Sequence, residues 1–286
     1  MNRFGIYYAF WTQDWDADFL PYIDKVAGLG FDILEVNAGT IARMSPEERR
    51  RLRARAEEKS LELSYCIGLT ADHDVSSESE SVRRSGVDFL KDMARAIGEM
   101  GGGKLSGIIY SYWPATIAKA EEKPRRLEKS VASMREAIKV AEDEGAFFNV
   151  EVVNRFEQFL LNTCEEGLAY VDRVGSPNLK MLLDTYHMNI EEDDICAAIK
   201  KAGTSLGHFH LGENNRKPPG YGHIPWVRIG ETLRAMNYNG SIVMEPFLLP
   251  GGEVGRDIKV WRDLMPGVDL DVEAKKALAF VRKVLA

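Results

Sequence analysis

Hydrophobic positions along this chain follow two alternating rhythms. Runs of strand length, rich in β-branched and aromatic residues, occur at Phe4 to Ala9, Phe31 to Val36, Leu61 to Ile67, Leu105 to Ser111, Phe147 to Val152, Leu179 to Asp184, Leu206 to Leu211 and Ser241 to Glu245. Between them the apolar residues recur every three or four positions, as in Phe19, Ile23, Val26 and Leu29, or Val131, Met134, Ile138 and Val140-Ala141, which is the spacing of one helix face. Eight strand-like runs alternating with helical stretches in 286 residues predict an α/β chain folded as a single (β/α)8 TIM barrel. Helix start signals agree: Ser45-Pro-Glu-Glu48 offers a capping hydroxyl, a first-turn proline and early acids. A doubly wound open sheet would want a glycine-rich phosphate turn after its first strand, and Tyr7-Tyr-Ala-Phe-Trp-Thr-Gln13 supplies none.

No Pro/Gly/Ser-rich linker divides the chain, so one domain spanning residues 1–286 is expected. The loosest stretches are the polar segment Thr70 to Ser81 and the segment Asn214 to His223, with Pro218-Pro-Gly220 and Gly222. Both follow a predicted strand. In a barrel such loops build the active-site face, so they read as lid or pocket.

Four acid or imidazole side chains end consecutive predicted strands. Glu151 follows Ala146-Phe-Phe-Asn-Val150, Asp184 follows Leu179-Lys-Met-Leu-Leu183, His210 lies in Leu206-Gly-His-Phe-His-Leu211, and Glu245 follows Ser241-Ile-Val-Met244; the intervals are 33, 26 and 35 residues. Each interval suits one strand, one helix and two loops, so in a closed barrel all four converge on one rim. Three carboxylates and one imidazole with no thiolate suit Mn2+, Mg2+ or Co2+ better than structural zinc. His208 shares a face with His210, one pleat deeper, which makes it a core histidine or a support for a ligand rather than a ligand. His187, Arg216 and Glu157 each follow one of these residues within six positions, where a polar group can reach a bound molecule.

Composition narrows the function further. A formal charge of −7 with 28% charged residues argues against a nucleic-acid-binding face. The basic cluster Glu47-Glu-Arg-Arg-Arg-Leu-Arg-Ala-Arg-Ala-Glu-Glu-Lys59 is flanked by acids at helical spacing and reads as a solvated helix face. Cys66, Cys164 and Cys196 are too scattered for a disulfide framework. No apolar stretch of membrane-spanning length and no cleavable leader is recognisable, so a cytoplasmic protein without membrane partners is expected.

Several motifs together carry a family likeness. Glu151-Val-Val-Asn-Arg-Phe-Glu157, Leu183-Asp-Thr-Tyr-His-Met-Asn-Ile-Glu-Glu192, Gly207-His-Phe-His-Leu-Gly-Glu-Asn-Asn-Arg216 and Met244-Glu-Pro-Phe247 resemble the signatures of the D-tagatose 3-epimerase family, which includes D-psicose (D-allulose) and L-ribulose 3-epimerases. The likeness also takes in Gly5-Ile-Tyr-Tyr8, Trp15, Tyr110-Ser-Tyr-Trp-Pro114 and Asp257-Ile-Lys-Val-Trp-Arg262. It implies a Mn2+-dependent barrel enzyme that inverts C3 of a free ketose, acting as a homodimer or homotetramer. Residue by residue, it implies Glu151, Asp184, His210 and Glu245 as metal ligands, Glu151 and Glu245 as the acid/base pair, and Glu157, His187 and Arg216 as holders of O1 and O2. Tyr7, Trp15, Cys66, Ile108, Trp113 and Phe247 would surround the far end of the sugar, with Cys66 a small pocket hydrophobe and not a nucleophile.

The chemistry asks for such a set. A C3 proton α to the C2 carbonyl is too weakly acidic for a bare carboxylate, so a divalent ion must stabilise the enediolate. Inversion then needs a proton removed from one face and returned to the other, hence two carboxyl groups. An aldose–ketose or hydroxypyruvate isomerase uses the same kind of metal site for a shift between C1 and C2. A metal-dependent phosphodiesterase of the apurinic endonuclease type would want more than the five histidines present and a basic surface. A catalytically silent sugar-binding barrel would not require the paired glutamates.

Overall fold

A computed structural model describes residues 2–286, so Met1, the first residue of the expected single domain, lies outside it. Eight parallel strands close into a barrel in sequence order: β1 Arg3–Tyr7, β2 Ile33–Asn37, β3 Glu62–Leu69, β4 Gly103–Tyr112, β5 Ala146–Val152, β6 Leu179–Asp184, β7 Leu206–Leu211 and β8 Ser241–Met244, with β8 pairing back onto β1. Parallel neighbours need a crossover, and helices supply it, among them Leu20–Leu29, Pro46–Glu58, Glu80–Glu99, Glu122–Asp143 and Trp226–Ala235, while Leu270–Leu285 follows the last strand.

Alternation along each strand sorts the side chains. Leu34 and Val36 face the helices and are fully buried, with Glu35 between them facing the lumen; Phe209 is likewise buried outward between His208 and His210. The lumen is markedly polar. Lys104 of β4 bonds to Ser241 of β8, Asn149 of β5 donates to Ser106 of β4 at 3.2 Å, and Glu35 of β2 reaches His210 of β7 at 2.6 Å. Two of these three bonds join strands that are not neighbours, so they cross the interior and fix the strands' relative height.

The expected run Phe4 to Ala9 is one strand and a turn. The chain leaves the sheet after Tyr7 into a 3-10 turn, Tyr8–Phe10, where the Tyr8 hydroxyl donates to the Trp15 carbonyl. All three turn residues are buried, so apolarity continued where the strand did not. The loop segments also carry internal order. Asp74, buried at 3% exposure, accepts from Ser76, Ser111 and Arg126, pinning the segment from Thr70 to Ser81 against β4. Among the described residues no helix is long and apolar enough to cross a membrane, and the three cysteines are free and buried.

The helix at Pro46–Glu58 starts with a complete capping box: Ser45 Oγ accepts from the Glu48 N–H at 3.3 Å, and Glu48 accepts from the Ser45 N–H at 2.7 Å. Ser45→Ala removes one half of it and should cost about 1 kcal/mol, read as a lower urea midpoint with an unchanged slope; an unaltered midpoint would mean that this cap does not contribute.

Candidate active site

The carboxyl ends of β5 to β8 bring Glu151, Asp184, His210 and Glu245 to one point. One donor atom from each lies within 4.8 Å of the others, and all four residues are buried. Register explains the meeting: Asp184 pairs directly with His210, and Glu245 follows β8 with its N–H donated to the Leu211 carbonyl at 3.1 Å. His210 Nδ1 stands 3.9 Å from Glu151 and 3.7 Å from Glu245. Neither His210 Nδ1 nor Asp184 Oδ2 has a hydrogen-bond partner, although both are fully buried. Orphaned polar atoms of this kind are costly unless a ligand completes them, and their shared direction suits a cation held by three carboxylates and an imidazole.

Electrostatics give the same answer from two sides. Burial, and then the like charge of Glu245, push the Glu151 carboxyl well above the ordinary carboxylate range. Burial alone would lower His210, yet Glu35 and Glu245 outweigh it and raise the ring well above its ordinary value. Both shifts follow from carboxylates and an imidazole buried together, where a bound cation would favour the ionised carboxyl groups. His208 lies beneath, at 2.9 Å from Glu35 but not aligned as a hydrogen bond, and burial lowers its pKa.

Above the four donors a cavity of about 370 Å3 opens, lined by Tyr7, Trp15, Cys66, Ile108, Trp113, Glu151, Glu157, His187, Arg216, Glu245 and Phe247. Of the thirteen residues singled out in the sequence, only Asp184 and His210 are absent from this lining, because they form the floor beneath it. The lining extends outward to Asn37, Arg43, His73 and Asp257, which carried no recognisable role in the sequence.

Three polar groups face the cavity with their protons already assigned by their neighbours. The backbone N–H of Asn154 donates to His187 Nδ1 at 3.2 Å, which leaves the proton of the neutral ring on Nε2, 3.8 Å from Glu151; burial lowers the pKa of this histidine and favours that neutral form. Glu157 accepts from Trp113 Nε1 at 2.9 Å, Asn154 Nδ2 at 3.0 Å and Arg216 Nη2 at 3.4 Å. Burial would raise its carboxyl, but His187 when protonated, then Arg216 and the bonds from Trp113 and Asn154, outweigh burial and hold it at about 2, so Glu157 is a fixed acceptor. Arg216 lies flat on Tyr186, 3.7 Å from the ring centre, and its Nη1 lies 3.8 Å from Asp184 and 3.6 Å from Glu245 with no hydrogen bond. A buried guanidinium with free donors is placed to bind a ligand oxygen.

Holding Arg216 there strains the backbone, since its φ of 62° is left-handed and costs a non-glycine residue about 1–2 kcal/mol. The surrounding loop enforces it. Glu213, fully buried, accepts from the Gly220 N–H and from Trp226 Nε1, both at 2.7 Å, and Phe247 donates its N–H to the Arg216 carbonyl at 2.9 Å.

The apolar wall is equally constrained. Trp15 meets Trp113 and Phe247 edge to face at 6.2 and 6.3 Å, and its indole N–H is satisfied by Asp257 at 2.9 Å. Trp113 packs over Gly68, where an added Cβ would stand 3.1 Å from the Trp113 Cβ. Burial raises the Cys66 thiol well above its ordinary value, with Glu35 adding to the effect, so it stays a neutral, compact wall residue.

The model of the xylose isomerase-like TIM barrel family matches residues 23–264. The chain is 48% identical to the D-psicose 3-epimerase of Ruminiclostridium cellulolyticum, over 99% of this chain and 98% of that protein. It is 32% identical to the L-ribulose 3-epimerase of a Methylomonas species, over 98% and 97%. The crystal structure of D-psicose 3-epimerase with D-tagatose from Clostridium cellulolyticum H10 superposes with a TM-score of 0.96, at 48% identity and 99% coverage of both chains. By sequence and fold alike, the chain belongs to the xylose isomerase-like TIM barrels and, within them, to the family of D-psicose and L-ribulose 3-epimerases, and it is an isomerase.

Proposed function

We propose that this protein is a divalent-metal-dependent ketose 3-epimerase, with Glu151, Asp184, His210 and Glu245 holding the cation and Mn2+ the best-suited ion, Co2+ and Mg2+ being substitutes. The observation that carries the reading is the pair of buried, unpartnered atoms, His210 Nδ1 and Asp184 Oδ2, converging with two glutamates beneath a cavity of sugar size. An ion held by these four residues would supply Lewis acidity to the substrate's oxygens, which would bring the C3 proton within reach of a carboxylate.

The chain's own groups do the rest. Arg216 Nη1 and His187 Nε2 donate to the oxygens at C1 and C2, while ionised Glu157 accepts from a sugar hydroxyl and steadies Arg216. Glu151 and Glu245 come from β5 and β8, three strands apart around the rim, and so approach C3 from different sides. One takes the C3 proton, leaving an enediolate across C2 and C3. The other returns a proton to the opposite face. Acid–base exchange needs one carboxyl ionised and the other able to donate, and burial with the like charge of Glu245 raises the Glu151 carboxyl toward the form that can donate. Trp15, Trp113 and Phe247 cover the carbon faces and exclude water, with Tyr7, Cys66 and Ile108 completing the wall.

Incubation with D-fructose and Mn2+ should yield D-psicose by chromatography; aldoses in its place would move the proton transfer to C1 and C2 and favour an aldose–ketose isomerase. Glu151→Gln and Glu245→Gln should each lower kcat by roughly 10²–10⁴-fold with the ion still bound, and near-normal turnover in either would dismiss the pair. Excess chelator should abolish turnover and added Mn2+ or Co2+ restore it, whereas full activity in chelator with no metal by elemental analysis would end the metal reading.

A further inference from the structure

Beneath the four donors lies a carboxylate to which the reaction assigns no task. Glu35, in the middle of β2, is fully buried in the lumen. Its Oε1 is 2.6 Å from His210 Nε2, and its Oε2 accepts from Ser64 Oγ at 2.8 Å. His208 Nε2 stands 2.9 Å from the same Oε2. The bond from β2 to β7 crosses the barrel, so no local strand pairing demands it.

We infer that Glu35 is a positioning residue for the cation: it holds the proton of His210 on Nε2 and thereby presents the Nδ1 lone pair to Glu151, Asp184 and Glu245. A carboxylate oxygen accepts, so the ring nitrogen facing it donates, and the opposite nitrogen is the one left for a ligand. The two nitrogens of His210 divide in just this way, since Nε2 is paired and Nδ1 has no partner. The negative charge behind the ring also makes it a better donor to a cation. Ser64 fixes the other oxygen, so the carboxylate cannot rotate away. Glu35, Cys66 and His210 also bring donor atoms within 4.8 Å, but a second ion does not fit there. Bonds of about 2.0–2.2 Å to each would hold the nitrogen and oxygen roughly 3 Å apart or more, not 2.6 Å.

This inference rests on the reading of His210 as a ligand, and Mn2+ binding to the intact protein without substrate tests both, with free Mn2+ followed by electron paramagnetic resonance. Glu35→Gln keeps an oxygen but no charge, and Glu35→Leu keeps neither. In variants with unchanged circular dichroism, Kd should rise about 10–100-fold for Gln and further for Leu. A Kd within twofold of the unmutated protein in both variants overturns the role of Glu35 and leaves the metal site standing. Failure of the unmutated protein to take up Mn2+ removes the metal reading and this inference with it. A second measurement needs no Glu35 variant. With ring-15N-labelled histidine and Mg2+ bound, His210, assigned by loss of its signals in His210→Asn, should show a downfield, slowly exchanging Nε2 proton; its absence overturns the proposal.

Discussion

Negative charge packed away from water is the constraint around which this molecule is arranged. Glu35, Glu151, Asp184 and Glu245 are all buried within one end and the middle of a single barrel, with Glu157 beside them. An unpaired buried carboxylate costs several kcal/mol even after relaxation, so each must have a partner. Arg216 serves Glu157, Asp184 and Glu245 at 3.4 to 3.8 Å, and His210 serves Glu35 and, more distantly, Glu151 and Glu245. One guanidinium and one imidazole do not balance that many acids. The proposed cation would offset two more of those charges, and the cross-barrel bonds and the strained Arg216 loop make sense as the scaffold that holds the remaining repulsion in place.

Barrel closure is what makes the arrangement affordable in sequence terms. Each strand needs to contribute only one donor at its carboxyl end, and the parallel register brings the donors together without any long-range motif. This is why the members of the candidate site that end strands are legible in the sequence. A period-two strand fixes His208 and His210 on one face, and spacings of 33, 26 and 35 residues repeat the unit length; the fold follows from the same repeat.

What was not readable depends on contacts across the lumen or within loops. In Ile33-Leu-Glu-Val-Asn37, Glu35 looks like the polar face of an ordinary half-exposed strand, because nothing in β2 records that β7, 175 positions away, stands opposite. Asp74, Glu213 and Asp257 look like loop acids, yet each is a hydrogen-bond hub or anchor: for Arg126 and two serines, for the Arg216 loop, and for the Trp15 indole. The end of β1 was blurred for a different reason, since buried aromatics continue through the 3-10 turn at Tyr8–Phe10 and apolarity alone carries no signal of the change. Sequence periodicity reports which face a side chain takes, and these residues are defined by what that face meets.

The four donors all fall between positions 151 and 245, on the second half of the barrel, whereas Tyr7, Trp15, Cys66, Ile108 and Trp113 come from the first. On the proposed function, the donors would thus be encoded in the trailing half and most of the apolar wall in the leading half, Phe247 being the trailing half's share of that wall. A change of wall residue in the leading half must therefore respect the bonds that tie that half to the trailing one, Glu35 to His210 and Trp113 to Glu157.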